Sequence, residues 1–348
     1  MPSESFPRAP HPDAAATDQL LRDLRHRQPR CGSLGLLSPA IAWWAGCSGL
    51  PLRAPSHVAL VVVAGRHGWE DGRVCTLTEA DTDRSCAEIT EHCSPADLLG
   101  VGAEVTLCDL RDVPVAPSNK EDALTEEDMR SCMERGRREA SRAIDSGADL
   151  LVPGSLGAAE LSTAATLVGA LCQREPVSLY RTGNDPELWK RQVAATRDAL
   201  FRVSGRGFRA GHRDPHHSAG EHAQAVLRRL GSPATAALTG FLIEAAQRRT
   251  PVLLDGVHPL CAALIAERCA PGSAAWMYLS CHTTEPLAEP IIEALELQPM
   301  TITEAELPAG IGSLMALPQL NAGIALCRGS VEEPEGPSAE DLPGVESS

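Results

Sequence analysis

Asp149-Leu-Leu-Val-Pro-Gly-Ser-Leu-Gly-Ala-Ala-Glu-Leu-Ser-Thr-Ala-Ala-Thr-Leu-Val-Gly-Ala-Leu-Cys172, continuing through Gln173-Arg-Glu-Pro-Val-Ser-Leu-Tyr-Arg-Thr-Gly-Asn184, is the stretch on which the reading of this chain turns. Leu150 to Val152 reads as a short apolar strand. Pro153 to Gly157 reads as a glycine turn, and Ala159 to Cys172 as an Ala-rich helix. Strand, glycine turn and helix together suit an anion, because glycines let the main chain approach and helix-start N–H groups face negative charge. Ser155, Ser162 and Thr163 add hydroxyl donors. The same pattern also suits an ordinary strand-to-helix turn, since neither G-x-G-x-x-G nor the Walker spacing is present.

Clear strands lie on both sides of this stretch. Residues 57–65, His-Val-Ala-Leu-Val-Val-Val-Ala-Gly, form a continuous apolar run of the kind buried in a parallel sheet. Strands are also expected at 101–110, 251–255 and 276–280. Helices are expected at 19–27, 36–47, 84–100, 125–146, 186–201, 236–248, 260–270, 290–297 and 314–325. The alternation predicts an α/β fold: a three-layer, Rossmann-like parallel sheet with helices on both faces. Residues 19–50 would form a small helical region and 51–327 the α/β domain, with disordered tails at 1–18 and 328–348. Loops at the carboxyl ends of the strands would converge on one pocket. Arg66 and His67 follow the first strand there, and Asp255 closes a later one. Trp44 reads as a packing residue of its helix rather than a stacking platform.

Composition narrows the function. The chain has 348 residues, 43% hydrophobic and only 3% aromatic, so a large aliphatic core is available. A net charge of −15 argues against binding a nucleic-acid backbone. No apolar run is long enough for a bilayer and no secretory pattern is visible. Twelve cysteines are scattered without C-x-x-C pairs, which fits reduced thiols and a cytoplasmic location. His212, His216, His217 and His222 lie close in sequence, but no carboxylate or thiolate stands at matching spacing, so they read as a solvated loop. No metal and no cofactor are expected; the expected partner is a small phosphorylated molecule.

The motifs, taken in order, resemble those of the nicotinate-nucleotide:dimethylbenzimidazole phosphoribosyltransferase family. The family's Pro-Pro-Gly-Ser-Leu-Gly looks like the run Pro29 to Gly35, and its Ala-Gly-Asp-His-Gly-Val resembles Ala64-Gly65-Arg66-His67-Gly68-Trp69. Its Gly-Glu-Met-Gly-Ile-Gly-Asn-Thr-Thr falls on Gly154 to Ser162, and its Arg-Gly-Thr-Gly on Tyr180 to Gly183. A strand ending Asp-Gly matches Asp255-Gly256, and Gly-Glu-Gly-Thr-Gly-Ala falls on Pro308 to Ser313. The resemblance implies transfer of phosphoribosyl from nicotinate mononucleotide to a benzimidazole-type base, and a homodimer. It implies phosphate or ribose contacts at Gly154, Ser155, Gly157, Ser162, Arg181, Thr182, Gly183, Gly310 and Gly312. Base contacts are implied at His67, Thr76 and Leu156.

The departures bear on activity. The position of the family's general-base glutamate is Ala309, and the acid of the central motif is Ser155. Arg66 replaces the early aspartate. Losing a general base costs roughly 10²–10⁴ in rate, or about 3–5 kcal/mol. Glu306 and Glu160 are possible substitutes. The reading is therefore a weakened or inactive phosphoribosyltransferase, the alternative being a non-catalytic protein that binds a nucleotide, an aromatic base or a partner.

Overall fold

The computed structural model describes residues 5–31, 33–69, 74–183, 185–204, 218–303 and 307–329. Six parallel strands form one sheet in the order β2-β1-β3-β4-β5-β6: β1 is Val58–Ala64, β2 Glu104–Asp109, β3 Leu150–Leu156, β4 Val252–Leu254, β5 Met277–Cys281 and β6 Pro299–Thr301. The helices are α1 (Ala14–Cys31), α2 (Leu37–Ser48), α3 (Glu79–Thr90), α4 (Pro95–Leu98), α5 (Glu126–Asp145) and α6 (Glu160–Cys172). They continue with α7 (Pro186–Ser204), α8 (Ala219–Leu230), α9 (Pro233–Gln247), α10 (Val257–Cys269), α11 (Glu289–Leu295) and α12 (Ile311–Gly329). The fold is α/β, Rossmann-like, as the alternation predicts.

Strand side chains alternate between two cores. Ala59, Val61 and Val63 of β1 join Leu151, Val252 and Leu254 under α5, α6, α9 and α10. Leu60, Val62 and Ala64 face the other way, with Leu150, Val152 and Leu253, toward α2 and α12. Every residue of β1 is buried, which is why its sequence is apolar without alternation. On the first face α5 and α9 cross closely. Gly136 lies against the Ala237 carbonyl and Gly240 against that of Met133, and a Cβ at either glycine would collide with main chain.

The structure departs from the sequence reading at several points. Residues 5–18, expected to be disordered, are anchored: Phe6 and Ala9 are buried, Ala9 N–H donates to Pro271 O, and Trp276 Nε1–H donates to Pro10 O at 2.6 Å. Asp13 accepts the first free N–H groups of α1, so that helix starts at Ala14 rather than 19. The helix expected over 84–100 is two, each opened by a capping box, at Thr78 and at Ser94. Helix α8 and strand β6 were not foreseen. Strand β3 continues through Pro153, Gly154 and Ser155, where a turn was expected. Trp44 is buried and its Nε1–H donates to Arg53 O at 2.6 Å, the packing role expected of it. The stretches 205–217 and 330–348, which carry His212, His216, His217 and the acidic tail, lie outside the described residues.

Helices from both chain ends meet beside the sheet: Leu20, Ile41, Trp44, Leu320 and Ile324 share one core with β1 and β3. The chain first runs outward from β1 to β2, then returns to place β3 on the opposite side of β1. The reversal between β1 and β3 is where a ligand crevice is expected, at the carboxyl ends of the strands.

Candidate functional site

A cleft of about 520 Å³ opens at that end of the sheet. Its wall comes from the segments after five strands: Thr76 after β1, Ser155 and Gly157 from β3, Asp255 and Gly256 after β4, Thr283 and Glu285 after β5, and Pro308 to Gly310 after β6. Glu160 and Gln192 line it from α6 and α7.

The floor is a polar network built from four elements. β3 ends by presenting Ser155, 4% exposed, to the first turn of α10, where His258 is 1% exposed. Ser155 Oγ lies 2.6 Å from His258 Nδ1 and also hydrogen-bonds Glu160 Oε1 at the start of α6. The other ring nitrogen of His258, Nε2, lies 2.7 Å from Thr235 Oγ1. Thr235 stands at the start of α9, where Ser232 caps the helix by accepting its N–H at 3.1 Å. Proline at the first position of α9 fixes that turn. His67 packs edge-on to His258 with ring centroids 5.0 Å apart. Its Nδ1 lies 3.2 Å from Thr163 Oγ1, which also accepts the indole N–H of Trp69 at 2.9 Å. His67 Nε2 is buried and has no hydrogen-bond partner.

Burial dominates the electrostatics. It pushes the Glu160 carboxyl up to about 7, partly opposed by the Ser155 hydrogen bond. It lowers His258 to about 3, so the ring is neutral. His67 is lowered by burial and then by the nearby His258. Asp255 is raised to about 6 by burial, although main-chain N–H groups of Gly312, Gly256 and Ser313 offset part of that. Two cleft-lining alanines hold left-handed backbone, Ala159 at φ 70° and Ala309 at φ 58°. Such strain in non-glycine residues gathers at ligand sites.

The residues implied by the resemblance fall into three groups. Ser155, Gly157, Gly310 and Thr76 line the cleft, and His67 lies directly beneath it. Arg181 stands at the rim, donating to Thr284 Oγ1 at 2.8 Å and lying 3.7 Å from Glu285, a wall residue. Thr182 and Gly183 are exposed beside Arg181 and do not line the cleft. Gly154, Gly312, Ser162 and Leu156 are elsewhere. Gly154 packs on the Ala309 main chain, and Gly312 donates its N–H to Asp255 Oδ2 at 2.8 Å. Ser162 donates to Val74 O, and Leu156 joins the core beneath the sheet. Ala309 and Glu160 both line the cleft, and Glu306 lies outside the described residues. Sequence reasoning missed His258 and Thr235. The signal for His258 was its place, three residues after the strand-end Asp255, where this fold gathers ligand groups.

A family model described as phosphoribosyltransferase matches residues 9–335. A nicotinate-nucleotide–dimethylbenzimidazole phosphoribosyltransferase of Corynebacterium glutamicum is 35% identical over 344 residues, covering 94% of this chain and 92% of that one. The chain belongs to the nicotinate-nucleotide:dimethylbenzimidazole phosphoribosyltransferase family. A relative of the same description from Mycobacterium ulcerans is 36% identical over 318 residues, covering 86% of this chain and 85% of its own. The crystal structure of the Thermus thermophilus protein so described shares the fold, with a TM-score of 0.79 at 23% identity, covering 91% of this chain and 96% of that one. No helix among the described residues is long and apolar enough to cross a membrane.

Proposed function

We propose that the cleft binds a nucleotide or an aromatic base, and that phosphoribosyl transfer from nicotinate mononucleotide to a benzimidazole-type base is weakened in this chain. The observation that carries the reading is Ala309: it lines the cleft at the position that the resemblance gives to a general-base glutamate, and an alanine side chain accepts no proton. A phosphoribosyl centre passes through a cation-like state, and the attacking base nitrogen must shed a proton. Glu160 is the carboxylate that faces the cleft from the central motif and is left for that task. Main-chain groups of the 308–310 turn and the Ser155 hydroxyl supply polar contacts for a sugar phosphate. Remote binding of that phosphate would hold the reacting carbon in place.

A homodimer and a cytoplasmic setting belong to the same proposal; a free thiol at the cleft, Cys75, suits a reducing compartment. The test is calorimetric titration of the full chain with nicotinate mononucleotide, followed by an assay for transfer to dimethylbenzimidazole. Binding with slow or absent transfer is expected. Fast transfer would overturn the claim of weakening, and no binding of either compound would overturn the cleft's assignment.

A further inference from the structure

His67, Glu160 and His258 come from three separate elements and present ligand-type atoms that all lie within 4.8 Å of one another. We propose that they form a binding site for one divalent transition-metal cation of the zinc or cobalt kind, held by His67 Nε2, His258 Nδ1 and the Glu160 carboxylate.

The atoms turned toward the cluster are two ring nitrogens and a carboxylate oxygen, and the hydroxyl of Ser155 stands between two of them. That hydroxyl has a single hydrogen to give, and His67 Nε2 receives none. Placing a proton on Nε2 instead would bury an N–H with no acceptor, so the tautomer that donates Nδ1–H to Thr163 Oγ1 is the consistent one. With Glu160 ionised and His258 as the tautomer that donates Nε2–H to Thr235 Oγ1, the cluster holds more lone pairs than hydrogens to fill them. A cation is the partner such a cluster lacks.

The surroundings fit the same conclusion. In metal sites a ligating histidine is held through its second nitrogen, which fixes tautomer and ring orientation. Both rings here are held in that way, His67 through Thr163 and His258 through Thr235. Gly157 keeps the approach to His67 clear, since a Cβ there would stand 2.6 Å from Nε2. Ligand atoms sit about 2 Å from zinc, so two ligands of one ion stand roughly 3–4 Å apart. His258 Nδ1 and Glu160 Oε1 already stand 3.8 Å apart. Two imidazoles with one carboxylate select zinc, cobalt, nickel or iron over magnesium and calcium. The cleft side stays open for water or a ligand group.

The site needs no part of the phosphoribosyl reading. An ion-bound Glu160 would take up no proton, so metal loading and a proton-accepting role for that residue exclude each other.

The test uses Co²⁺ as the probe on the full chain stripped of metal with a chelator, and reads visible d–d absorption with no substrate present. One ion per chain is expected, displaced by Zn²⁺. The band should be lost in His67→Gln and in His258→Gln, with circular dichroism showing both variants folded. Thr235→Val, which removes only the hydroxyl behind His258, should weaken Co²⁺ binding by roughly 10–100-fold. Absence of a band in the parent chain overturns the proposal. So does a band that survives both histidine variants, or one abolished by the pair His216→Ala and His217→Ala alone.

Discussion

Gly154 on β3 lies directly against the main chain of Ala309, so that a side chain at 154 would collide with the Ala309 carbonyl. Two motifs far apart in sequence thereby share one contact, and the cleft wall at 308–310 takes its position from a strand. Gly310 closes the same contact from the other side, lying against Leu60 and Val152. Gly154→Ala is expected to push the 309 turn away. Overpacking of this kind costs about 1–3 kcal/mol, read as a lower urea midpoint with unchanged slope. Binding of nicotinate mononucleotide should weaken in parallel.

The α5–α9 crossing makes a second stability test. Gly136→Ala and Gly240→Ala should each destabilise by about 1–3 kcal/mol. The double variant should lose less than the sum, because the first methyl already separates the helices. Full additivity in urea denaturation would mean that the two contacts do not share one helix separation.

Asp255 gives a pH dependence with a definite sign. Its folded value, about 6, lies above the ordinary carboxylate value of 3.8 because burial disfavours the charge. The folded chain therefore holds this proton more tightly than the unfolded chain does. The stability it contributes is fully present below about pH 4 and is lost as pH rises through about 6. Asp255→Asn, which still offers an oxygen to the Gly312 N–H, should remove that slope. The check is the difference in unfolding free energy between parent and variant measured from about pH 4 to about pH 8.

Ala309→Glu tests the chemistry. The position already holds left-handed backbone and already lines the cleft. Restoring a proton acceptor there should raise phosphoribosyl transfer by roughly 10²–10⁴, with the Michaelis constant for nicotinate mononucleotide little changed. No gain would place the loss of activity elsewhere in the site.

Much of this was legible in the residues, for reasons that also mark the limits. β1 declared itself because seven consecutive buried positions demand seven apolar side chains. α5 did so through Thr125, which accepts the Asp128 N–H at 3.0 Å. β3 was cut short because Pro153 and Gly154 discourage strands. Yet β4 pairs with β3 only at Leu151–Val252, so that side of residues 153 and 154 has no ladder to break. α8 carried its own signal, the capping box of Ser218 and Glu221, but the glycine- and histidine-rich residues before it drew attention away. β6 is three residues long, too short for any period to show. At the site, spacing brought Ser155 and Glu160 into view because they share one segment. His258 and Thr235 stayed hidden because only the tertiary fold joins them to Ser155: His258 lies 103 residues on, and Thr235, 23 residues before it, reaches the site through His258. The glycines carry contacts that spacing did not reveal. Gly154 packs against the Ala309 main chain, and Gly312 gives its N–H to Asp255.

All six strands run the same way, so every connecting loop that leaves a strand tip arrives at one rim. Main-chain pairing holds the strands together whatever those tips carry. Such a rim can exchange a glutamate for an alanine, or recruit a histidine from a neighbouring helix start, while the layers beneath it stand unchanged. Descendants of one ancestor can therefore diverge in reactivity long before they diverge in shape.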